Sequence, residues 1–211
     1  MRDTERVFRF SKPTAAQIEA TIREAASLPS KSSGWFESTG RLRERRIPFG
    51  YAHDFASLRI GSGETVFAAA RSAFARWKQF DLGWVRVTDS EAALALGQIV
   101  AVEVHTLGLW SLNLSQIVQM IDTPTQFGFV YATTPLHVEH CEERFLLDFN
   151  PQTGSVTYLL EAISRPRNIF AKLGYPFTRA MQHRFARESL THMFNVIQGG
   201  NAANEIQKLI P

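Results

Sequence analysis

Between Thr133 and Phe149 the chain reads TTPLHVEHCEERFLLDF, which places His137, His140, Cys141, Glu142 and Glu143 within seven residues. Such side chains build metal sites, thiol–imidazole pairs and carboxylate acid–base centres, so their spacing has to decide. On an extended strand His137 and His140 are three apart, point to opposite faces and cannot share an ion. His137 and Cys141 share a face but stand about 13 Å apart at ~3.3 Å per residue, too far for joint ligation or a Cys–His dyad. Only a bulge or turn inside the stretch would bring them together. No metal and no cofactor are expected. What remains is the carboxylate of Glu143, as a general acid or base or as a polar anchor for a ligand.

A hairpin positions that carboxylate. FLLDFNPQTGSVTYLL carries turn chemistry from Pro151 to Gly154, and pairing Asn150 with Ser155 fixes every rung beyond. Phe149 then meets Val156, Leu147 meets Tyr158, and Phe145 meets Leu160 on one face. On the other face Asp148 meets Thr157, and Arg144 meets Glu161 as an opposite-charge pair worth about 0.2–1 kcal/mol. A slip of one residue would scramble both faces. Extended outward, the register sets Glu143 opposite Ala162 and Cys141 opposite Ser164, so the apolar face becomes small and polar away from the turn. That gradient suits a cavity with a carboxylate at its mouth, its polar end lined by Glu143, Cys141, Tyr131, Tyr158, Ser164 and His137. It equally suits a Glu143 that reaches solvent past a filled core, or one that pairs with a structural arginine.

Around the hairpin the elements follow from periodicity. KPTAAQIEATIREAASLPS predicts a helix with Thr14 as N-cap, an apolar stripe of Ile18, Ile22 and Ala25, and a stop at Pro29. A Ser- and Gly-rich loop, PSKSSGWFESTG, follows, and HDFASLRIG predicts a short strand. In GETVFAAARSAFARWKQF, Phe67, Ala70, Phe74 and Trp77 form one helical stripe, with Phe67 and Trp77 as core residues. Gly61-x-Gly63 ahead of it lacks the third glycine and the Lys-Ser/Thr of a phosphate loop and reads as a tight turn.

From Gly83 to Pro166 six strands are expected: WVRVT, QIVAVEVHT, SQIVQMID, FGFVYAT, HCEERFLLDF and SVTYLLEAIS. In the second, Val100, Val102 and Val104 share a face, with Glu103 and His105 on the other. Beyond a break at Gly174-Tyr175-Pro176, a long helix carries Phe177, Met181, Leu190, Met193, Phe194 and Ile197, closed by Gly199 and Gly200.

This order predicts an α+β helix-grip fold. A curved antiparallel sheet, with one covered and one wet face, wraps a long C-terminal helix and leaves a cavity between them. Residues 1–45 form an N-terminal helix and loop extension, 46–200 the helix-grip domain and 201–211 a tail. An α+β sandwich with a filled core is the alternative.

Composition bounds the function classes. The chain has 211 residues, 45% of them hydrophobic and 20% charged, which suits one folded domain and excludes wholesale disorder. Its single cysteine, Cys141, excludes an internal disulfide and points to a reducing, cytoplasmic setting. MRDTERVFRF has no signal-type apolar run, and GQIVAVEVHTLGLW is interrupted by Glu103 and His105 well short of a membrane span. The net charge of +3 is modest but clustered. Arg41, Arg43, Arg45 and Arg46 form one group; Arg165, Arg167, Lys172, Arg179, Arg184 and Arg187 form another with no acid between them. Such patches meet phosphate or are simply a solvated face. No nucleic-acid motif accompanies them, so nucleic acid and an anionic membrane rank behind a small molecule as partners. His183 and His192 read as surface or capping histidines. Oligomeric state is not legible.

Several residues resemble one family. Gly61, Gly63, Glu64, Phe67, Ala70 and Trp77, FGFVYATTPLHVEHCEERF, Ser164-Arg165-Pro166, and Gln182 with Phe185 are similar to the bacterial and plant family known as domain of unknown function 1990. The similarity spans about Tyr51 to Met193, and the family usually has glycine where this chain has Leu136 and Cys141. It implies relatives among START and polyketide-cyclase-like proteins, which typically hold lipids, sterols or polyketides in a cavity. The leading expectation is therefore a soluble carrier or sensor of a small hydrophobic molecule. An enzyme using Glu143 as general acid or base in the same cavity stands beside it.

Overall fold

The computed structural model describes residues 8–28, 33–36, 47, 49–137, 139–166 and 175–199. Arg41, Arg43, Arg45, Arg46, Arg167 and Lys172 lie outside the described residues, as does the expected break at Gly174. The elements run β1 (Phe8–Arg9), α1 (Ala15–Ala26), β2 (Ala52–Ser62), α2 (Glu64–Ala75), a 3-10 turn (Lys78–Phe80), β3 (Val85–Val87), β4 (Ile99–Thr106), β5 (Leu109–Asp122), β6 (Gln126–Thr133), β7 (Glu139–Phe149), β8 (Ser155–Pro166) and α3 (Tyr175–Ile197). The sheet order is β2-β8-β7-β6-β5-β4-β3, with β1 added on β5 and every pairing antiparallel. The expected α+β helix-grip architecture is present, with α2 and α3 against the concave face through Phe67, Phe74, Leu190 and Met193.

The β7–β8 hairpin takes the register that the alternation dictates. Phe149 pairs with Val156, Leu147 with Tyr158, Phe145 with Leu160, Glu143 with Ala162 and Cys141 with Ser164. On the convex face Arg144 forms an ion pair with Glu161, both side chains buried, and His53 joins Glu161 at 2.7 Å. At the hairpin end the concave face is plugged by rings. Phe145 stacks on Phe129 at 5.0 Å between centroids and meets Phe80 at 5.2 Å and Phe185 at 6.2 Å. Aromatic pairs of this kind add about 0.5–1.5 kcal/mol each beyond the area they bury.

Four expectations need correction. The convex face is not wet. The α1 residues Ile18, Ile22 and Ala25 pack on Ala101, Leu112 and Leu114, because β5 turns its leucines outward. Beside them Trp35 and Phe36 cover Val130 and Ile163, and the Gly34 and Trp35 backbone N–H groups donate to Glu142 at 2.8 and 2.9 Å. The described parts of the N-terminal segment, α1 and residues 34–36, thus pack on the same sheet. Second, β5 begins at Leu109 after a two-residue turn in which Leu107 and Gly108 have φ of 52° and 76°. Third, α2 ends before Trp77, whose backbone is left-handed at φ 58°. Its ring is still core, with the indole N–H donating to the Ala92 carbonyl at 2.9 Å. Fourth, residues 135–137 turn, so His137 is not on a straight strand with Cys141.

Two glycines separate two different demands. A Cβ on Gly128 would lie 2.0 Å from the Phe145 carbonyl oxygen and 2.9 Å from the Leu146 Cα, both backbone atoms that cannot rotate away. Gly63, which starts α2, has φ +93° but open space where a Cβ would stand. Gly128→Ala should therefore cost at least about 2 kcal/mol by prising β6 from β7, while Gly63→Ala should cost about 1 kcal/mol of backbone strain. Chemical denaturation of both variants checks the ranking, and equal losses would refute the close-approach reading of Gly128.

Candidate functional site

Above the ring plug the sheet and α3 diverge and leave a cavity of about 840 Å³ that opens to solvent and reaches Leu112, Leu114 and α1. Strand parity decides its walls. On β4, Val102 and Val104 face inward; on β8, Leu160 and Ala162 do; α3 contributes Met181, Phe185 and Ala186. Opposite these apolar groups, β5 presents Ser111, Asn113 and Ser115, the alternates of the leucines that face α1. From β7, Glu139, Cys141 and Glu143 line one wall, two residues apart and therefore on one face. The cavity also borders Gln17, Thr21 and Glu24 of α1.

Glu143 is the centre of the polar wall. The Tyr131 hydroxyl donates to its Oε2 at 2.5 Å across the β6–β7 rung that pairs the two residues. Burial pushes the Glu143 carboxyl up to about 7, and the neighbouring charges of Glu139 and Asp54 push the same way, against the Tyr131 hydrogen bond. Burial likewise raises the Tyr131 hydroxyl and the Cys141 thiol well above their ordinary values, so both are neutral at physiological pH. The Cys141 backbone N–H donates to Thr133 Oγ1 at 3.0 Å, which holds the β7 end against β6.

A second carboxylate that the spacing arguments passed over joins it. Glu139 is 6% exposed, and its Oε2 accepts from Gln182 Nε2 of α3 at 2.8 Å. Its Oε1 has no hydrogen-bond partner among the described residues. Burial raises its carboxyl to about 7 despite the Arg179 charge. Gln182 Oε1 accepts from Arg179 at 3.1 Å, and the Arg179 guanidinium grips Asp54 of β2 through both nitrogens, with His183 at 3.3 Å from Asp54. Although burial opposes it, Arg179 and His183 hold Asp54 below its ordinary range. Glu139 was legible by parity, since it lies four positions from Glu143. Asp54 carried no signal, because its partner is 125 residues away.

The six expected ligand contacts separate. Glu143, Cys141, Tyr131 and His137 border the cavity, with His137 entering from the turn, where its Nδ1 accepts from the Glu139 N–H at 3.0 Å. Tyr158 and Ser164 do not border it. Tyr158 is fully buried below, its ring edge-on to Phe74 at 5.1 Å and its hydroxyl 2.8 Å from Ser189 Oγ. Ser164 is fully buried beside Cys141. Tyr158 lies on the expected concave face but deeper than the cavity.

The described arginines are engaged as well. Arg184 donates to Glu188 at 2.7 Å and covers the Trp84 ring at 4.3 Å. Arg165 covers Tyr51 at 4.7 Å, and Arg179 is clamped by Asp54. Among the described residues no three His, Cys, Asp or Glu side chains cluster so as to hold a metal ion, and no helix is long and apolar enough to cross a membrane.

Comparison with known proteins agrees with this architecture. The Zhui aromatase/cyclase from a Streptomyces species superposes with a TM-score of 0.50 at 12% identity, over 72% of this chain and 97% of that one. A UPF0548 protein of Dictyostelium discoideum is 31% identical over 207 residues, covering 90% of this chain and 96% of the relative. A UPF0548 protein of Deinococcus radiodurans is 30% identical over 193 residues, covering 86% and 94%. Residues 36–192 match the family model described as "Domain of unknown function (DUF1990)". From Phe36 on the convex face to His192 on α3, that match takes in β2 to β8 and most of the cavity wall, and the chain belongs to the DUF1990 family.

Proposed function

We propose that the protein binds a small molecule with an apolar body and one polar end in the cavity between sheet and α3. The observation behind this reading is the cavity itself: about 840 Å³, apolar on β4, β8 and α3, with the Glu143–Tyr131 pair on its polar wall. Binding sites for small organic molecules share that make-up and fall mostly between 300 and 1,000 Å³ by rough survey. A fold that serves an aromatase/cyclase in a Streptomyces species supports an interior site, and the lone thiol of Cys141 suits a cytoplasmic setting. Val102, Val104, Leu160 and Phe185 would cover the apolar body, and Glu143 the polar end.

The position of Glu143 also favours a second reading, an enzyme that uses this carboxyl as general acid or base. A group poised near 7 in a partly dry site is suited to both directions of proton transfer. Turnover would then vanish in Glu143→Gln while binding persists.

Ala162 faces the cavity opposite Glu143, so Ala162→Trp should put an indole ring against Glu143 and block the polar end of the space. Native mass spectrometry and solvent extraction of protein from its source should find a bound small molecule in the natural chain and none in Ala162→Trp. A natural chain that arrives empty, and that also fails to take up the neutral dye Nile red, would refute the binding reading.

Glu143 makes a prediction about stability. Its folded-state value of about 7 lies above the ordinary 4.5, so the fold favours the protonated form. Its contribution is therefore intact below about pH 4.5 and lost progressively as pH rises to about 7. Glu143→Gln removes that loss. The variant should match the natural chain near pH 4 and exceed it by roughly 2 kcal/mol at pH 8, allowing for water in the cavity. Urea unfolding at the two pH values measures it.

A further inference from the structure

Resting on the binding reading, we propose that the polar end of the ligand is a protonated amine, seated opposite Cys141 between Glu139 and Glu143. The two carboxylates share a face of β7 with only the small, neutral Cys141 side chain between them. Each stands about 7 Å along the strand from Cys141 at ~3.3 Å per residue, a gap that a glutamate side chain largely spans. An ammonium placed there lies within electrostatic reach of both carboxylates, whose charges already act on one another.

The surroundings supply that charge only in part, through Arg179 acting on Glu139. The nearest guanidinium is Arg179, and Asp54 occupies it through both nitrogens. Gln182 satisfies one oxygen of Glu139 and Tyr131 one of Glu143, both with neutral donors. The other Glu139 oxygen, Oε1, is buried and has no partner among the described residues. Arg9 borders the cavity too, but it sits at the level of Trp110 on β5, whereas Cys141 sits at the level of Ser115 through Thr133. Those levels are five residues apart, about 16 Å along the strand. A ligand carboxylate or phosphate at this wall would face Glu139, Glu143 and Asp54 together. A cation there relieves the repulsion that helps to hold both glutamates near 7.

The same arrangement ties binding to pH. Facing the two glutamates are Asp54 from β2, Tyr131 from β6, Cys141 between them, His137 from the turn, and Arg179 and His183 from α3. Ammonium binding selects the ionised carboxylates. Amine affinity should rise roughly tenfold from pH 6 to pH 8, over which an alkylammonium stays charged.

The test uses the full chain and three matched probes below their micelle concentrations, dodecylamine, dodecanol and dodecanoate, each displacing Nile red. At pH 8 the amine should bind at least tenfold tighter than the alcohol and the acid weakest of the three. In Glu143→Gln and Glu139→Gln the amine's lead over the alcohol and its pH dependence should shrink, with dye binding and thermal unfolding showing an intact cavity. If all three bind with no preference for the amine, or if the amine's lead survives both substitutions, the charge assignment falls while the binding reading stands. If neither the dye nor any probe binds, both fall together.

Discussion

The β7–β8 register is the constraint from which the site follows. One set of alternating residues, Phe149, Leu147, Phe145, Glu143 and Cys141, faces α2, α3 and the cavity; the other, with Arg144 and Glu142, faces outward. Moving β7 by one residue would drive Arg144 into the ring cluster and expose Phe145, which is fully buried. A lone charge among those rings would cost several kcal/mol, and the rings would lose their packing as well. The buried Arg144–Glu161 pair adds specificity on the other face, because each charge has its partner only in the native register. Where Glu143 points is therefore decided by residues that never touch a ligand.

Adjacent glutamates show how parity sorts identical chemistry. Glu142 points to the convex face, where backbone N–H groups of Gly34 and Trp35 satisfy it and fasten the N-terminal segment over Val130 and Ile163. Glu143, one residue later, points inward and finds a single tyrosine hydroxyl. The first carboxylate stabilises the fold by accepting those N–H groups. The second is held near the point where it can lose or keep its proton. Folding has turned neighbouring glutamates to opposite faces of the sheet, and the difference between their surroundings is the direction of the side chain.

Much of this was legible because strands expose parity in the sequence. The hairpin rungs, the aromatic face and the pairing of Arg144 with Glu161 all follow from alternation outward from one turn. Depth along a face was not legible. Tyr158 lies on the concave face as expected, but α2 brings Phe74 against it and α3 brings Ser189 to its hydroxyl, so it belongs to the plug. The start of β5 was hidden because its turn places Leu107, where asparagine or glycine is usual, at positive φ. The convex cover was hidden because alternation in LWSLNLS tells that two faces differ without telling which is interior. Here the leucines face α1 and the serines face the cavity.

That inversion on β5 bears on how the cavity survives. The space of about 840 Å³ opens to solvent, so it is filled rather than dry. Ser111, Asn113, Ser115, Thr133 and Glu143 supply hydrogen-bonding groups around it, so water can occupy the polar side when no other molecule does. Water beside Val102, Val104 and Leu160 gains no such bonds, and its release is what an entering apolar molecule exploits. The alternation on β5 thus gives the cavity a polar side that water can satisfy, facing an apolar side on β4 and β8 that it cannot.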